Sequence, residues 1–83
     1  ASLAEAPIAA TLSDGRVIAG TVDRLFISKT LVKVIDYKTG RPSPSHHIQL
    51  AAYRDALAII FPDRPIEAAL LYTAVPTLIA LDG

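Results

Sequence analysis

Alternating apolar and polar residues predict three β-strands in the first half of the chain. The segments 6–12, 16–27 and 31–38 are rich in β-branched and other apolar residues, as strands are. Asp14-Gly15 separates the first two segments and is a strong hairpin signal, while Ser28-Lys29-Thr30 is the one place where the chain can reverse between the second and third. We therefore expect an antiparallel three-stranded meander.

A helix is predicted after the meander. Ser43 is a favoured N-cap residue and Pro44 suits the first helical position, so the helix is expected to begin at Pro44. It is expected to run to about Ile60, because Phe61-Pro62 disfavours helical dihedral angles. Its apolar surface is expected to consist of Ile48, Ala51, Ala52, Leu57, Ile59 and Ile60.

A second apolar run, residues 67–75, predicts a further strand. A strand that follows a helix in this way commonly lies parallel to the strand before the helix, which makes a right-handed βαβ unit on a mixed sheet. Residues 77–81 form either an edge strand or a tail. The pattern as a whole predicts an α/β protein of the α+β type with a mixed sheet.

The two turns determine which residues face each other. A two-residue turn at Lys29-Thr30 places Asp23 directly opposite Asp36, although an odd-length loop or a bulge would shift that register by one residue. The same geometry at the first turn places Glu5 opposite Arg24, where an exposed ion pair is expected. Directly opposed carboxylates destabilise a sheet unless positive charge lies between them, so the first of these pairs favours a bound cation.

Asp36 and Lys38 are two residues apart in a strand and therefore leave the same face of the sheet. Two carboxylates and an ammonium group at one place can bind a hard divalent cation and orient a water molecule or a phosphate. Asp23, Asp36 and Lys38 are thus candidate catalytic residues. The structural alternative for Asp36 is an ordinary ion pair with Lys38 or with Arg24.

Gln49 and Tyr53 are four residues apart and so share one face of the predicted helix. Gln49 is able to bridge a metal-bound water and a phosphate oxygen, and Tyr53 is able to donate to a phosphate or stack on a base. Arg24 and Arg41 are further candidates for phosphate contact. The cationic residues in this part of the sequence form either a phosphate-facing patch or an ordinary mixed surface.

Composition narrows the classes of protein and of site. The chain has 83 residues, enough for one small domain, and no cysteine, which excludes a disulfide scaffold, a zinc-cysteine site and a cysteine-ligated iron-sulfur cluster within it. Any metal must be held by oxygen or imidazole ligands. The net charge is zero, so the chain lacks the general basic bias of many nucleic-acid-binding proteins. No apolar stretch is long enough for a membrane span, and we expect a soluble intracellular protein.

The chain begins with Ala1 and is 52% hydrophobic, which is high for so short a soluble protein. We expect it to be a fragment of a larger protein. Its apolar excess is expected either to contact the missing segments or to drive self-association.

Three motifs in the sequence resemble those of a known family. Gly20-Thr21-Val22-Asp23-Arg24, Val34-Ile35-Asp36-Tyr37-Lys38-Thr39-Gly40 and Gln49-Leu50-Ala51-Ala52-Tyr53 look like the GxxDR, DYKTG and QxxxY motifs of RecB-type nucleases in the PD-(D/E)XK superfamily. Within that family the chain is most similar to the C-terminal nuclease domains of AddA-type helicase-nuclease subunits. The similarity covers about residues 5–72, and the three motifs occur in the family's order.

The resemblance implies a fold and a set of site residues. The fold is a restriction-endonuclease-like core of helix, three-stranded meander, helix and strand, with the first helix expected before Ala1, so that residues 1–83 form one partial nuclease domain. Nuclease activity is expected in the full-length protein, whereas the fragment alone is expected to bind metal weakly and to cut slowly or not at all. The resemblance also implies Mg²⁺ or Mn²⁺ held by Asp23, Asp36 and the Tyr37 carbonyl, Lys38 acting in catalysis, and Gln49 and Tyr53 lining the site.

The resemblance further implies a biological setting. It is that of a Mg²⁺-dependent deoxyribonuclease, an exonuclease, which acts on linear DNA ends or single strands beside an AddB-like partner subunit. Together with an upstream ATP-dependent helicase it would process double-strand breaks for recombinational repair in the bacterial cytoplasm. The sequence has two alternative interpretations. One is a catalytically silent module of the same fold that docks DNA ends or a partner. The other begins from Lys38-Thr39-Gly40 as a β-lactamase or phosphate-loop motif, but no Ser-x-x-Lys or Gly-x-x-x-x-Gly-Lys accompanies it.

Overall fold

The fold is a five-stranded mixed sheet with one helix, in a computed structural model that describes residues 1–74 and 76–81. Within these residues the strands lie in the order β1-β2-β3-β4-β5. The first three are antiparallel neighbours, β4 is parallel to β3 across the helix, and β5 is antiparallel to β4. The elements are β1 (Ser2–Thr11), β2 (Val17–Ile27), β3 (Val32–Lys38), α1 (Pro44–Ile60), β4 (Ile66–Tyr72) and β5 (Thr77–Ala80).

This topology confirms the predicted meander, the parallel return of the chain after the helix, and the α+β class. Residues 77–81 are predicted to form either an edge strand or a tail. In the structure they contribute the edge strand β5. The strand predicted over 67–75 is shorter than expected, because it ends at Tyr72 and a turn follows at Thr73 and Ala74. Val75, the last residue of that prediction, lies outside the described residues. In the part of the chain that the structure describes, no helix is long and apolar enough to cross a membrane.

The first hairpin has a register one residue away from the predicted one. Gly15 adopts a φ of 89° and its N–H donates to the Leu12 carbonyl at 3.0 Å, while the Leu12 N–H donates to the Arg16 carbonyl at 2.8 Å. The loop therefore contains three residues and closes with a glycine in the left-handed region, a common hairpin geometry. The extra residue moves Ala4 opposite Arg24. The predicted ion pair between Glu5 and Arg24 is wrong, since none forms between them among the described residues.

The second hairpin has the predicted register, with Arg24 opposite Ile35 and Leu25 opposite Val34. Its turn lacks the glycine or asparagine that tight turns prefer, and Ser28 supplies the missing stabilisation. The Ser28 N–H donates to the Leu31 carbonyl at 2.9 Å, and the Ser28 hydroxyl accepts from the Leu31 N–H at 3.1 Å. A serine hydroxyl that bonds the backbone ahead of it is a recognised substitute for turn-forming residues.

Helix α1 has the predicted limits and cap. The Ser43 hydroxyl accepts from the Ser45 N–H at 3.3 Å, and Pro44 occupies the first turn. The predicted apolar face is largely wrong, because Ile48, Ile59 and Ile60 are 71%, 50% and 43% exposed. The helix carries apolar residues on every side, so the sequence alone did not identify the side that is buried. The core lies between the helix and one face of the sheet, and its fully buried larger side chains are Leu50, Leu57, Leu70, Val22, Val32 and Val34.

Candidate active site

Strand β2 bends at Asp23, and this bend directs the carboxylate toward the helix side of the sheet. In a regular strand, residues whose numbers differ by three lie on opposite faces. Val22 and Leu25 are nevertheless both buried, so the alternation of faces changes phase between them. The neighbouring strand bends at the same level, where Glu5 has a φ of 50° between two regular pairs. A residue other than glycine in that region costs roughly 1–2 kcal/mol. The fold therefore retains a strained residue beside Asp23.

Asp23 is held by the backbone of β3. One carboxylate oxygen accepts the Tyr37 N–H at 2.8 Å. The regular β2–β3 pairing ends at Arg24 and Ile35, so the side chain of Asp23 takes over a donor just beyond the end of that pairing. This contact fixes Asp23 next to the residue that precedes Tyr37, which is Asp36.

Asp36 and Lys38 extend toward the same side, as their spacing predicts. Asp36 is the buried member, at 7% exposure, and follows Val32 and Val34 along the inward face of β3. The Lys38 Nζ lies 2.9 Å from an Asp36 carboxylate oxygen. The same Nζ donates to the Gln49 Oε1 at 3.1 Å, so the first turns of the helix close over the end of β3. Asp36, Lys38 and Gln49 thus form one chain of contacts.

The two carboxyl groups interact directly, and their environments make them unequal. A hydrogen bond from the Asp36 carboxyl lowers the pKa of Asp23, burial opposes part of that decrease, and the Tyr37 N–H and the Lys38 charge lower the pKa further by smaller amounts. Burial raises the pKa of Asp36, the hydrogen bond with Asp23 raises it further, and Lys38 offsets part of that increase. When the pair holds one proton, that proton therefore belongs to Asp36.

The donor set fits a hard divalent cation. Two neighbouring carboxylates repel each other once both are ionised, and a cation between them removes that repulsion. Mg²⁺ is commonly bound by one or two carboxylates, with water and substrate oxygens completing its coordination. Among residues 1–74 and 76–81 no cluster of three or more His, Cys, Asp or Glu side chains could hold a metal. The protein carboxylates that meet at this position are those of Asp23 and Asp36.

Tyr53 lies over Gly20 on the same side of the sheet, and sequence reasoning did not find this contact. A Cβ atom at Gly20 would collide with the Tyr53 hydroxyl and would lie 3.0 Å from two ring carbons. Glycine inside a strand often marks the close approach of another group, which was the available signal. The Tyr53 ring thus contacts β2 at Gly20, three residues before Asp23. The Gln49 side chain instead contacts Lys38 on β3.

Two of the proposed substrate-binding residues lie apart from the carboxylate pair. Arg24 pairs with Ile35 and its Nη1 donates to the Ser2 hydroxyl at 3.3 Å, so it is not the partner of Asp36. Arg41 is exposed in the loop between β3 and α1. Among the described residues the cation in contact with Asp36 is Lys38, which decides between the two ion pairs considered for Asp36.

The comparisons with known proteins agree with this architecture. The family model that describes the PD-(D/E)XK nuclease superfamily matches residues 2–79, which include all five strands up to Ile79 and the whole of α1. A five-stranded mixed sheet with one helix is consistent with a restriction-endonuclease-like fold. A search of curated proteins finds no significant match.

Proposed function

The chain belongs to the PD-(D/E)XK nuclease superfamily, and from this premise we propose that it hydrolyses phosphodiester bonds in DNA with a divalent metal ion. The observation that carries the proposal is the convergence of Asp23, Asp36, Lys38 and Gln49 at one point on the helix side of the sheet. Four polar groups from two strands and a helix meet there, although a core facing a helix is normally apolar. Such an arrangement is typical of a site and costly for a scaffold.

The metal site is proposed to consist of Asp23, Asp36 and the Tyr37 carbonyl, with Mg²⁺ or Mn²⁺ as the ion. When bound, the ion would supply an activated water and would offset negative charge on the scissile phosphate. Asp23 is prepared for this role because the Tyr37 N–H holds its carboxylate in place, and because hydrogen bonds from the Asp36 carboxyl and, to a smaller extent, the Tyr37 N–H lower its pKa. The Asp36 carboxyl would hold the ion in its ionised form, without the shared proton.

Lys38 is proposed to act on the phosphate. Its ammonium group is oriented by Asp36 on one side and by Gln49 on the other, so one donor proton remains available for a substrate oxygen. A fixed cation at this point stabilises the additional negative charge of the transition state without reorganising. Gln49 fixes the position of Lys38, and Tyr53, Arg24 and Arg41 remain proposed DNA contacts.

Mn²⁺ binding and DNA cleavage test the proposal together. We expect calorimetry to detect Mn²⁺ binding by the chain and to detect none for Asp36→Ala. In the longer protein that includes the proposed upstream helix, Asp36→Ala and Lys38→Ala are each expected to reduce metal-dependent cleavage of linear DNA by roughly a hundredfold or more while DNA binding persists. Asp14→Ala is the matched control, because Asp14 is an exposed aspartate paired with Arg16 outside the site. Undiminished cleavage by either site variant would overturn the proposed mechanism.

The narrower assignment is also a proposal. We place the chain in an AddA-type helicase-nuclease, as an exonuclease that acts on DNA ends with an AddB-like partner in the bacterial cytoplasm. Its support is the order and spacing of the three motifs and the lack of cysteine, which sets the chain apart from relatives that carry an iron-sulfur cluster. The rival is a silent docking module, for which DNA binding by wild type would be independent of metal and would be accompanied by no cleavage.

A further inference from the structure

We propose that a cavity beside the catalytic strand is a nucleobase-binding site. The cavity has a volume of about 390 Å³ and lies between the loop that follows β3 and the β4–β5 hairpin. Its size falls in the range of small-molecule sites, roughly 300–1,000 Å³. The inference rests on the proposed function, since it concerns the base attached to the phosphate that Lys38 contacts.

The position of the cavity connects it to the catalytic strand. Its wall begins at Thr39, which directly follows Lys38, and includes Tyr72, which is the partner of Lys38 in the parallel β3–β4 pairing. Thr77 is in turn the partner of Tyr72 on β5. Neighbouring strands are about 4.8 Å apart, so the far wall lies about two strand spacings, on the order of 10 Å, from the strand of Lys38. A base whose phosphate lies at Lys38 has its own ring in this region.

The floor of the cavity is rigid and aromatic. Tyr72 is only 3% exposed, and its hydroxyl is 3.1 Å from His46 Nδ1 on the helix. This hydrogen bond ties the ring to α1, and the nearly buried ring gives the cavity a fixed floor. Ile79 and Pro42 add apolar surface to the walls. A planar heterocycle can pack against such walls without needing a particular hydrogen-bond partner.

The polar groups of the cavity suit a base that carries a phosphate. Thr39 and Thr77 line the cavity, and their hydroxyls form no hydrogen bond with another described residue, so either could rotate to meet the edge of a base. Arg41 is the one charged residue among those that line the cavity, and it is exposed at the surface. A purely apolar ligand would leave these groups unused, whereas a nucleotide combines a flat apolar ring, polar edges and an anion.

A titration with mononucleotides tests this inference. Amide resonances of the ¹⁵N-labelled chain are followed, with a metal chelator present, during addition of thymidine 5′-monophosphate and, separately, of 2-deoxyribose 5-phosphate. We expect saturable shifts at Thr39, Gly40, Arg41, Thr77 and Ile79 with the nucleotide. The sugar phosphate is expected to bind at least about tenfold more weakly, because it lacks the base that packs against the apolar walls.

Gly40 offers a way to fill the cavity without disturbing the fold. It lines the cavity, and a Cβ atom built there meets nothing within 4 Å. Gly40→Trp is expected to weaken thymidine monophosphate binding at least about tenfold. Lys29→Trp adds the same bulk at the exposed β2–β3 turn and is expected to leave binding unchanged.

The inference is overturned by equal affinity for the two ligands, by the absence of shifts at the cavity, or by nucleotide binding that Gly40→Trp leaves intact. The proposed hydrolysis is judged separately, from metal-dependent cleavage of linear DNA by the same preparations. Cleavage without base-selective binding removes the nucleobase site and leaves the nuclease. Selective binding keeps the nucleobase site whatever the result for cleavage.

Discussion

The two halves of strand β2 present opposite phases of the strand to the helix. In the half before Asp23, which pairs with β1 alone, the inward residues include Gly20 and Val22, and this half supports the helix through the contact of Tyr53 with Gly20. In the half after Asp23, which pairs with both β1 and β3, the inward residues are Leu25 and Ile27, and the carboxylate pair lies where this half begins. The phase changes at Asp23. One hairpin thus positions the helix and the other positions the chemistry, and the bend between them allows a polar residue to follow directly after a buried valine.

The hairpins also differ in how strictly the site depends on the register that each turn fixes. A slip of one residue in the β2–β3 hairpin would turn Asp23 to the other face and separate it from Asp36. That turn is closed by Ser28 and further held by Arg64, whose Nη1 donates to the Ser28 carbonyl at 2.6 Å. In the β1–β2 hairpin the left-handed Gly15 determines the register, and the side chains that depend on it are mainly those of the core. The four predictions that follow test this difference, from the largest expected effect to the smallest.

The contact between Gly20 and Tyr53 is expected to be the most sensitive point of the helix-bearing half. Gly20→Val forces the phenol off the strand and is expected to lower the free energy of unfolding by about 1–3 kcal/mol, the usual cost of overpacking. The measurement is urea denaturation followed by circular dichroism. Ala19→Val is the matched control, since Ala19 is the exposed neighbour on the other face of β2. Equal losses for both variants would mean that the close approach of Tyr53 to Gly20 does not contribute to the loss of stability.

Gly15→Ala tests whether the first register depends on a left-handed residue. At a φ of 89° an alanine is strained, and we expect a loss of about 1–2 kcal/mol in the free energy of unfolding. Gly40→Ala is the control, because nothing lies within 4 Å of the Cβ atom it would add and the chain there has no left-handed conformation; a small gain is expected. Both values are obtained from the same denaturation series. A neutral Gly15→Ala would show that the hairpin can adopt the two-residue turn that the sequence suggests.

Comparison of the hairpins also shows which features the sequence could predict. Local signals succeeded: Ser43-Pro44 located the start of the helix, and the two-residue spacing of Asp36 and Lys38 placed them on one face. The prediction of the register at Asp14-Gly15 failed because that dipeptide suits both a two-residue turn and a three-residue loop.

Features that depend on contacts distant in sequence were the least predictable. The buried side of the helix was not predicted correctly, because the helix carries apolar residues on every side. The side that is buried is determined by the packing of Leu50 and Leu57 in the core and by the contact of Tyr53 with Gly20. The hydrogen bond from the Tyr37 N–H to Asp23 depends on the bend in β2, for which the sequence carries no turn signal.

Removal of the Ser28 hydroxyl is expected to weaken the site-bearing hairpin selectively. Ser28→Ala loses the acceptor for the Leu31 N–H, and a loss of about 1 kcal/mol in the free energy of unfolding is expected. The more informative readout is Mn²⁺ affinity, which we expect to fall because the alignment of Asp23 with Asp36 depends on this turn. Ser13→Ala, in the loop of the other hairpin, is expected to leave Mn²⁺ affinity unchanged. A matching fall in Ser13→Ala would show that the two hairpins do not act separately on the site.

The smallest expected effect is a difference in the sign of pH dependence between the two hairpins. Because the pKa of Asp36 is raised in the folded state, its protonated form favours folding, and this contribution is complete below the ordinary aspartate pKa and lost as pH rises through the raised value. Asp36→Asn is therefore expected to gain stability relative to wild type as pH rises from about 3 to 6 without divalent metal.

Asp14 in the other hairpin provides the opposite case. Hydrogen bonds from Arg16 lower the pKa of Asp14, so its contribution is present above the ordinary aspartate pKa and lost as pH falls through the lowered value. Asp14→Asn is accordingly expected to lose stability relative to wild type over the same rise in pH. Urea denaturation of the three proteins at several pH values, with a metal chelator present, measures both trends. Parallel trends would mean that Asp36 is an ordinary ion-pair partner of Lys38, and would contradict the claim that burial beside Asp23 keeps this carboxyl ready to exchange a proton for a cation.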